Sequence, residues 1–191
     1  MKAINRKKQI MEAATKSFSL FGYKATTMEQ VAKLANVGKG TIYTFFHSKE
    51  ELLDEIITSL ISEIKEAAEE AIDPSRSFFE NVHRALYRIL AFRKQHQLTM
   101  KLLQEVRDIG TPTVQEVMKK LDRAVLAYIR DKIEQAMQKG EIRTCDPEIT
   151  AFLMFKLYIA LVFEWEKDHE PLSEEKIAEL FALYFLKGLS R

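Results

Sequence analysis

The chain has 191 residues, 47% apolar and 30% charged, with 6 Gly and 4 Pro; this argues against a turn-rich β fold and suits one sizeable helical core or a small module joined to a larger one. The one cysteine, Cys145, excludes an intrachain disulfide, there is no signal-peptide pattern, and the longest apolar run, 149–163, is broken by Lys156 and falls short of the roughly 20 residues of a membrane span, so a cytoplasmic protein without membrane contact is expected. The net charge of +1 is uneven: up to Ser48 there are eight basic residues against two acids, a +6 head that leaves −5 for residues 49–191, a distribution that fits either a polyanion-binding head or a solvated basic surface.

Ile10, Ala13, Ala14, Phe18 and Phe21 fall on one face of a first helix, from about Asn5 to Phe21, which Gly22 ends. Thr27 with Gln30 forms a capping box, so a second helix starts near Met28 and turns Met28, Val31, Ala32 and Ala35 inward. Asn36 tolerates the left-handed conformation of a tight turn, and Val37 locks that turn into the core. A third helix is predicted from Lys39 to Phe45, with Ile42 and Phe46 inward. Ser48 with Glu51 gives a second capping box and opens a long helix from Lys49 to Ala71. Helix, tight turn, helix is the layout that places one helix in the DNA major groove.

Asp73-Pro74 breaks the long helix. Phe78, Val82, Ala85, Leu86 and Ile89 then mark one helical stripe, and Leu98 to Arg107 a short helix. From Val114 to Met137 apolar residues keep helical spacing until Gly140. Asp146-Pro147 caps a helix to about Lys167 that is apolar nearly all round. Pro171 and Ser173 open a last helix to about Leu189. Helices apolar on both faces need cover on both, and pairing of the last two with a second copy provides it; a monomer with both helices central in its bundle is the alternative.

Thr26-Thr27, Val31-Ala32, Ala35-Asn36-Val37, Lys39-Gly40-Thr41-Ile42-Tyr43, Phe46 and Ser48-Lys49-Glu50-Glu51-Leu52 resemble the N-terminal signature of TetR-type transcriptional regulators. The resemblance covers about residues 6–53, with a looser match at Gly140-Glu141-Ile142-Arg143. It implies an all-α protein of about nine helices. A three-helix DNA-binding domain with the helix-turn-helix would occupy residues 1–48, and a helical ligand-binding and dimerisation domain 49–191, with helix 49–71 bridging the two. It further implies a bacterial repressor that binds a partly palindromic operator as a homodimer and is released by a small-molecule inducer. The chain departs from the family at Asn36, usually Gly, and at Gly38, where Ser is frequent. At Phe45 the usual second tyrosine has lost its hydroxyl.

Thr27 at a helix start and Lys49 at the start of the long helix are candidates for phosphate. Tyr43 resembles the family's phosphate-binding tyrosine; the alternative is a residue half-buried for packing. Lys39, Gly40, Thr41 and Thr44 form the front of the third helix, where Lys39 could reach guanine or grip only backbone and Thr44 could touch a thymine methyl. Lys7 and Lys8 add backbone or minor-groove contacts or are simply solvated.

Candidate inducer contacts are His83, Tyr87, His96, Arg107, Tyr128, Tyr158 and Trp165, each of which also reads as an ordinary core or surface group. Arg84, Arg88, Arg93 and Lys94 could attract an anion such as an acyl-thioester or form a solvated face. The aromatics favour a hydrophobic or amphipathic inducer. Candidate dimer contacts are Phe155, Ile159, Phe163, Phe181, Tyr184 and Phe185. No metal site or cofactor is expected, since the lone Cys has no partner and the histidines are scattered. No catalytic motif appears, so a helical enzyme is the weaker rival, and an architectural or constitutive DNA binder without inducer the stronger.

Overall fold

The computed structural model describes residues 2–95 and 97–186, with side chains over 6–91 and 97–184. The described residues form α1 (Lys2–Phe21), α2 (Met28–Leu34), α3 (Lys39–Tyr43), α4 (Lys49–Ala71), α5 (Phe78–Gln95), α6 (Leu98–Asp108), α7 (Pro112–Gln138), α8 (Pro147–Ile159) and α9 (Glu174–Phe181), without a strand among them. The expected contact His96 and the end of the last helix beyond 186 lie outside the described residues, as do the side chains of Arg93, Lys94 and Phe185.

The helices start where side chains can satisfy their free N–H groups. Thr27 Oγ1 accepts from Gln30 N at 3.2 Å while Gln30 Oε1 accepts from Thr27 N at 2.8 Å, the reciprocal box expected. Ser48 Oγ accepts from Glu51 N at 3.1 Å, but Glu51 Oε2 turns back one residue further, to His47 N at 2.6 Å. The second box is therefore displaced by one residue, and the His47 ring Nδ1 lies 3.0 Å from the same carboxylate oxygen. Ser77 and Glu80 form a further box ahead of α5, with Ser77 N donating to Glu80 Oε2 at 3.1 Å and Glu80 N to Ser77 Oγ at 3.3 Å. Asp146 caps α8 by accepting from Glu148 N and Ile149 N at 2.9 and 3.0 Å.

Two compact units emerge, Met1–Ile61 with His96–Leu121 and Ser62–Gln95 with Asp122–Arg191. The expected boundary at 48/49 falls inside the first unit, which also takes in α6 and the start of α7. In this unit α6 packs on α1, and α2 on both α1 and α3. Ile10, Phe18, Val31, Ile42, Phe46, Leu52, Leu53 and Leu102 are fully enclosed, each contributing about 2 kcal/mol of apolar transfer. Phe21 was expected in this core and is 62% exposed; Tyr23, at 3%, is buried instead. The left-handed Gly22, at φ +85°, reverses the chain after Phe21 and turns Tyr23 back under α1. Asn36 adopts φ +52° as expected of the turn between α2 and α3.

In the second unit Phe78, Leu90, Ile133, Ile142, Met154, Val162, Ile177 and Phe181 form one core. Regular α-helix was expected to Lys167, but α8 ends at Ile159 and continues as a π turn over Ala160–Glu164 and a 3-10 turn over Trp165–Lys167. A π turn, Ala182–Leu186, also follows α9.

Candidate nucleic-acid interface

The third helix is short because its two ends are held differently. Gly38 at its N-cap has no side chain to cap with, so backbone alone starts it, Thr41 N donating to Gly38 O at 2.9 Å. It stops at Tyr43, two residues before the expected end, and the Thr44 hydroxyl folds back onto Thr41 O at 2.7 Å. Ile42 faces the core with no exposure, which sends Tyr43 outward at 43%. The Tyr43 side chain makes no hydrogen bond among the described residues, leaving its hydroxyl free. Gly40 opens onto space, since a Cβ there would meet nothing within 4 Å. Gly40, Tyr43 and Thr44 are exposed and Thr41 half-buried, which gives α3 an accessible front.

Lys39, also exposed, pairs with Glu29 of α2. That bond and charge hold the Glu29 carboxyl below its usual range and raise the Lys39 ammonium. An exposed pair of this kind adds little to stability, so the ammonium stays available to a competing anion. The Thr27 hydroxyl accepts its cap bond and keeps its proton to donate outward. These residues lie on consecutive, touching elements, α2 and α3.

Lys49 is placed otherwise. Its Nζ donates to the carbonyls of Tyr23 and Thr26, both at 2.9 Å, and sits 4.2 Å from the Tyr23 ring centroid. The expected phosphate donor is thus already engaged in closing the turn between α1 and α2. Sequence reading missed two residues there. Tyr23 donates its hydroxyl to Glu50 Oε1 at 2.7 Å, and burial followed by that bond pushes its ionisation far up. Glu105 of α6 is 4% exposed and accepts from Tyr23 N at 2.6 Å, Lys24 N at 3.0 Å and Thr111 Oγ1 at 2.8 Å. Its signal was in the sequence: Leu98, Leu102 and Glu105 share one helical stripe, with a carboxylate where an apolar residue is the norm.

The candidate inducer contacts are scattered. His83 and Tyr87 of α5 meet with ring centroids 5.0 Å apart, His83 exposed and Tyr87 against the core of the second unit. Tyr158 packs on that core too, edge-on to Phe163 at 5.9 Å. Among the described residues the buried Tyr128 hydroxyl makes no hydrogen bond; burial, then the neighbouring Glu69, keeps it protonated. Trp165 is 41% exposed, stacks on His169 at 4.0 Å and donates its indole N–H to Glu170 O at 3.2 Å, closing a turn. Arg107 belongs to the first unit and pairs with Asp108 at 2.9 Å. Arg84 donates to Ala71 O at 2.7 Å and Arg88 pairs with Glu70 at 3.2 Å, so this part of the basic cluster closes the C-terminal end of α4.

Of the candidate dimer contacts, Phe155 and Phe181 are buried in their own chain at 8% and 4%, while Tyr184 is 70% exposed; Ile159 and Phe163 are half-buried. Beside Tyr184, the exposed apolar residues of α8 and of the turn after α9 include Ile149, Phe152, Leu153 and Leu183, not among the expected contacts and each 47–57% exposed. No helix among the described residues is long and apolar enough to cross a membrane.

Residues 10–56 match the profile of the bacterial regulatory proteins of the tetR family, and residues 75–189 that of the tetracyclin repressor-like C-terminal domain. An uncharacterized HTH-type transcriptional regulator of Bacillus subtilis, YhgD, is 64% identical over 188 residues, 98% of each chain. The fatty acid degradation regulator FadR of Bacillus halodurans shares the fold with a TM-score of 0.80 at 16% identity, over 97% of both chains. AibR, solved with isovaleryl coenzyme A and operator DNA, does so with a TM-score of 0.68 at 22% identity, over 94% of this chain and 98% of its own. With both halves of the chain matched and the α2–α3 front in place, the protein belongs to the TetR family of transcriptional regulators.

Proposed function

We propose that this regulator is a ligand-responsive repressor that binds a partly palindromic operator as a homodimer. Each copy lays α3 in a major groove, with Tyr43 and Thr27 on phosphate and Lys39, Gly40, Thr41 and Thr44 toward the bases. The carrying observation is the open front of α3, where the Tyr43 hydroxyl makes no hydrogen bond among the described residues. The two α3 helices of a dimer must lie about 34–36 Å apart, one DNA turn, for both to dock.

The inducer is a small hydrophobic or amphipathic molecule taken up by the second unit. Acyl-coenzyme A thioesters are the favoured class, supported by the isovaleryl coenzyme A bound to AibR and by the fatty-acid role in the name of the Bacillus halodurans protein. Its binding shifts α4 and alters the separation of the two α3 helices. The chain acts by binding in the cytoplasm, with no catalytic step. The exposed apolar residues of α8 and α9 support pairing with a second copy.

Selection of genomic fragments by the purified protein at physiological salt tests this reading, with Tyr43→Ala as control. A palindrome enriched by the wild type and lost in the variant is the expected result. Binding indifferent to Tyr43, or to saturating acyl-coenzyme A of several chain lengths, would remove the docking through α3 or the inducer part respectively. The second case would leave a constitutive DNA binder.

A further inference from the structure

A carboxylate as enclosed as Glu105 needs hydrogen bonds to remain there. Among the described residues it makes no ion pair. Its partners are two successive backbone amides, Tyr23 N and Lys24 N, and the Thr111 hydroxyl. Successive N–H groups that converge on one point form an anion-binding concavity. Here the anion is supplied from a helix more than seventy residues further along the chain.

Gly22 is shaped to this contact. A Cβ on Gly22 would lie 2.8 Å from Glu105 Oε2, a closeness no real side chain accepts. The turn that Glu105 holds is short and stiff. Thr26 Oγ1 donates to Gly22 O at 2.9 Å and lies 3.0 Å from Ser17 Oγ. Lys49 fixes the carbonyls of Tyr23 and Thr26 from the other side. The residue after Thr26 is Thr27, the cap of α2 and a candidate phosphate contact. A displacement of α6 therefore pulls on the amides three and four positions before the DNA-facing cap, through the bonds that Glu105 accepts from them.

We propose that Glu105 is a positioning residue for DNA binding: its buried carboxylate sets the α1–α2 turn and makes operator affinity depend on where α6 lies. The inference rests on α2–α3 being the DNA-reading element. It adds a direct link to the DNA-facing head, separate from α4, the helix invoked above. Glu105→Gln keeps the volume and removes the charge. Its amide nitrogen can face Thr111, but it then presents N–H to the Lys24 amide, which is left with only the longer 3.3 Å bond to the other oxygen. Leu121→Ala is the control, a buried residue of the same unit ten positions beyond Thr111 on α7, about 15 Å along the helix.

The experiment measures, in the full chain, the thermal midpoint, amide hydrogen exchange at Tyr23 and Lys24, and the Kd for the fragment that the wild type enriches. E105Q is expected to speed exchange at both amides and to weaken fragment binding by about tenfold, the scale of one lost bond to a charged group. L121A, with a comparable loss of midpoint, should leave both within about twofold, the spread expected of an uncoupled site. If E105Q does not fold, Thr111→Val removes a single bond to the same carboxylate and should weaken binding by about threefold. Faster exchange with unchanged Kd overturns the inference, as does a Kd that tracks the midpoint equally in all variants. A wild-type chain that enriches no fragment overturns the DNA reading itself and takes this inference with it. Selective wild-type binding with an indifferent E105Q overturns the inference alone.

Discussion

The Tyr23 hydroxyl donates to Glu50 Oε1 at 2.7 Å, tying a buried turn residue to the first turn of α4. Tyr23→Phe removes this bond without changing the packing of the ring. The variant is expected to lose about 1–2 kcal/mol in urea unfolding, the net worth of a bond to a charged acceptor that water can partly replace. The Tyr23 bond, foremost among several, holds the Glu50 carboxyl below its ordinary 4.5. A depressed carboxyl stabilises above its unfolded value and ceases to do so as pH falls through its folded one. The gap between wild type and Y23F should therefore be full at neutral pH and close below about pH 4.5. A gap that persists unchanged into acid would assign it to packing.

At high pH two of the tyrosines, Tyr23 and Tyr128, should resist ionisation. Burial, then their acidic neighbours Glu50 and Glu69, raises the ionisation of Tyr23 and Tyr128 well above the ordinary 10.0. A raised value means that the contribution to stability is intact below pH 10 and is lost as pH climbs beyond it. In a phenolate absorbance titration Tyr23 and Tyr128 should ionise only as the protein unfolds. Loss of the Tyr23 phenol proton before unfolding would contradict the enclosure of its hydroxyl.

Tyr43→Phe isolates the free hydroxyl at the front of α3. Since the side chain is 43% exposed and has no hydrogen bond to lose among the described residues, stability should stay within about 0.5 kcal/mol. Affinity for the enriched DNA should fall while the salt dependence stays nearly constant, because a neutral donor releases no counterion. Lys39→Ala, by contrast, should lower the slope of log K against log salt by about one if Lys39 neutralises a phosphate. A slope untouched by K39A would place Lys39 at a base edge or away from DNA.

The exposed apolar face of α8 gives the test of pairing. Phe152→Glu with Leu153→Glu puts two charges beside Ile149 on the open face of α8 while leaving the buried Phe155 and Met154 in place. Sedimentation should then show monomers that keep their helical circular dichroism and lose operator affinity. Unchanged dimers would move the interface elsewhere on the chain.

Local chemistry made most of the elements legible. The bounds of α4 follow from the Ser48 cap and the Asp73-Pro74 break, and the turn at Asn36 from that residue's tolerance of positive φ. The front of α3 followed from Ile42, since one enclosed residue on a helix of five fixes which side faces out. Side-chain direction past a left-handed glycine was not legible, because periodicity stops at Gly22; this is why Phe21 and Tyr23 exchanged places. Nor could Lys49 be assigned, since a lysine at a helix start reads alike whether it meets a phosphate or a backbone carbonyl. On α8 apolar residues occur on every side, so no spacing separates the face inside its own core from the face left open. Glu105 stood on an apolar stripe in plain view, but its partners are backbone amides, which no sequence displays.

The π turn at Ala160–Glu164 has a consequence for the rod that α8 begins. In such a turn one residue more than α-helical pitch allows is accommodated, as if inserted, and each helical residue turns the following chain by about 100°. Removing Leu161 would restore ordinary pitch and swing Trp165 round the axis by about that angle, carrying its indole N–H away from the Glu170 carbonyl it now meets at 3.2 Å. The extra residue thus acts as a phase setter: it lets the outer half of the rod point its side chains independently of the half anchored by Asp146, without a break in the backbone.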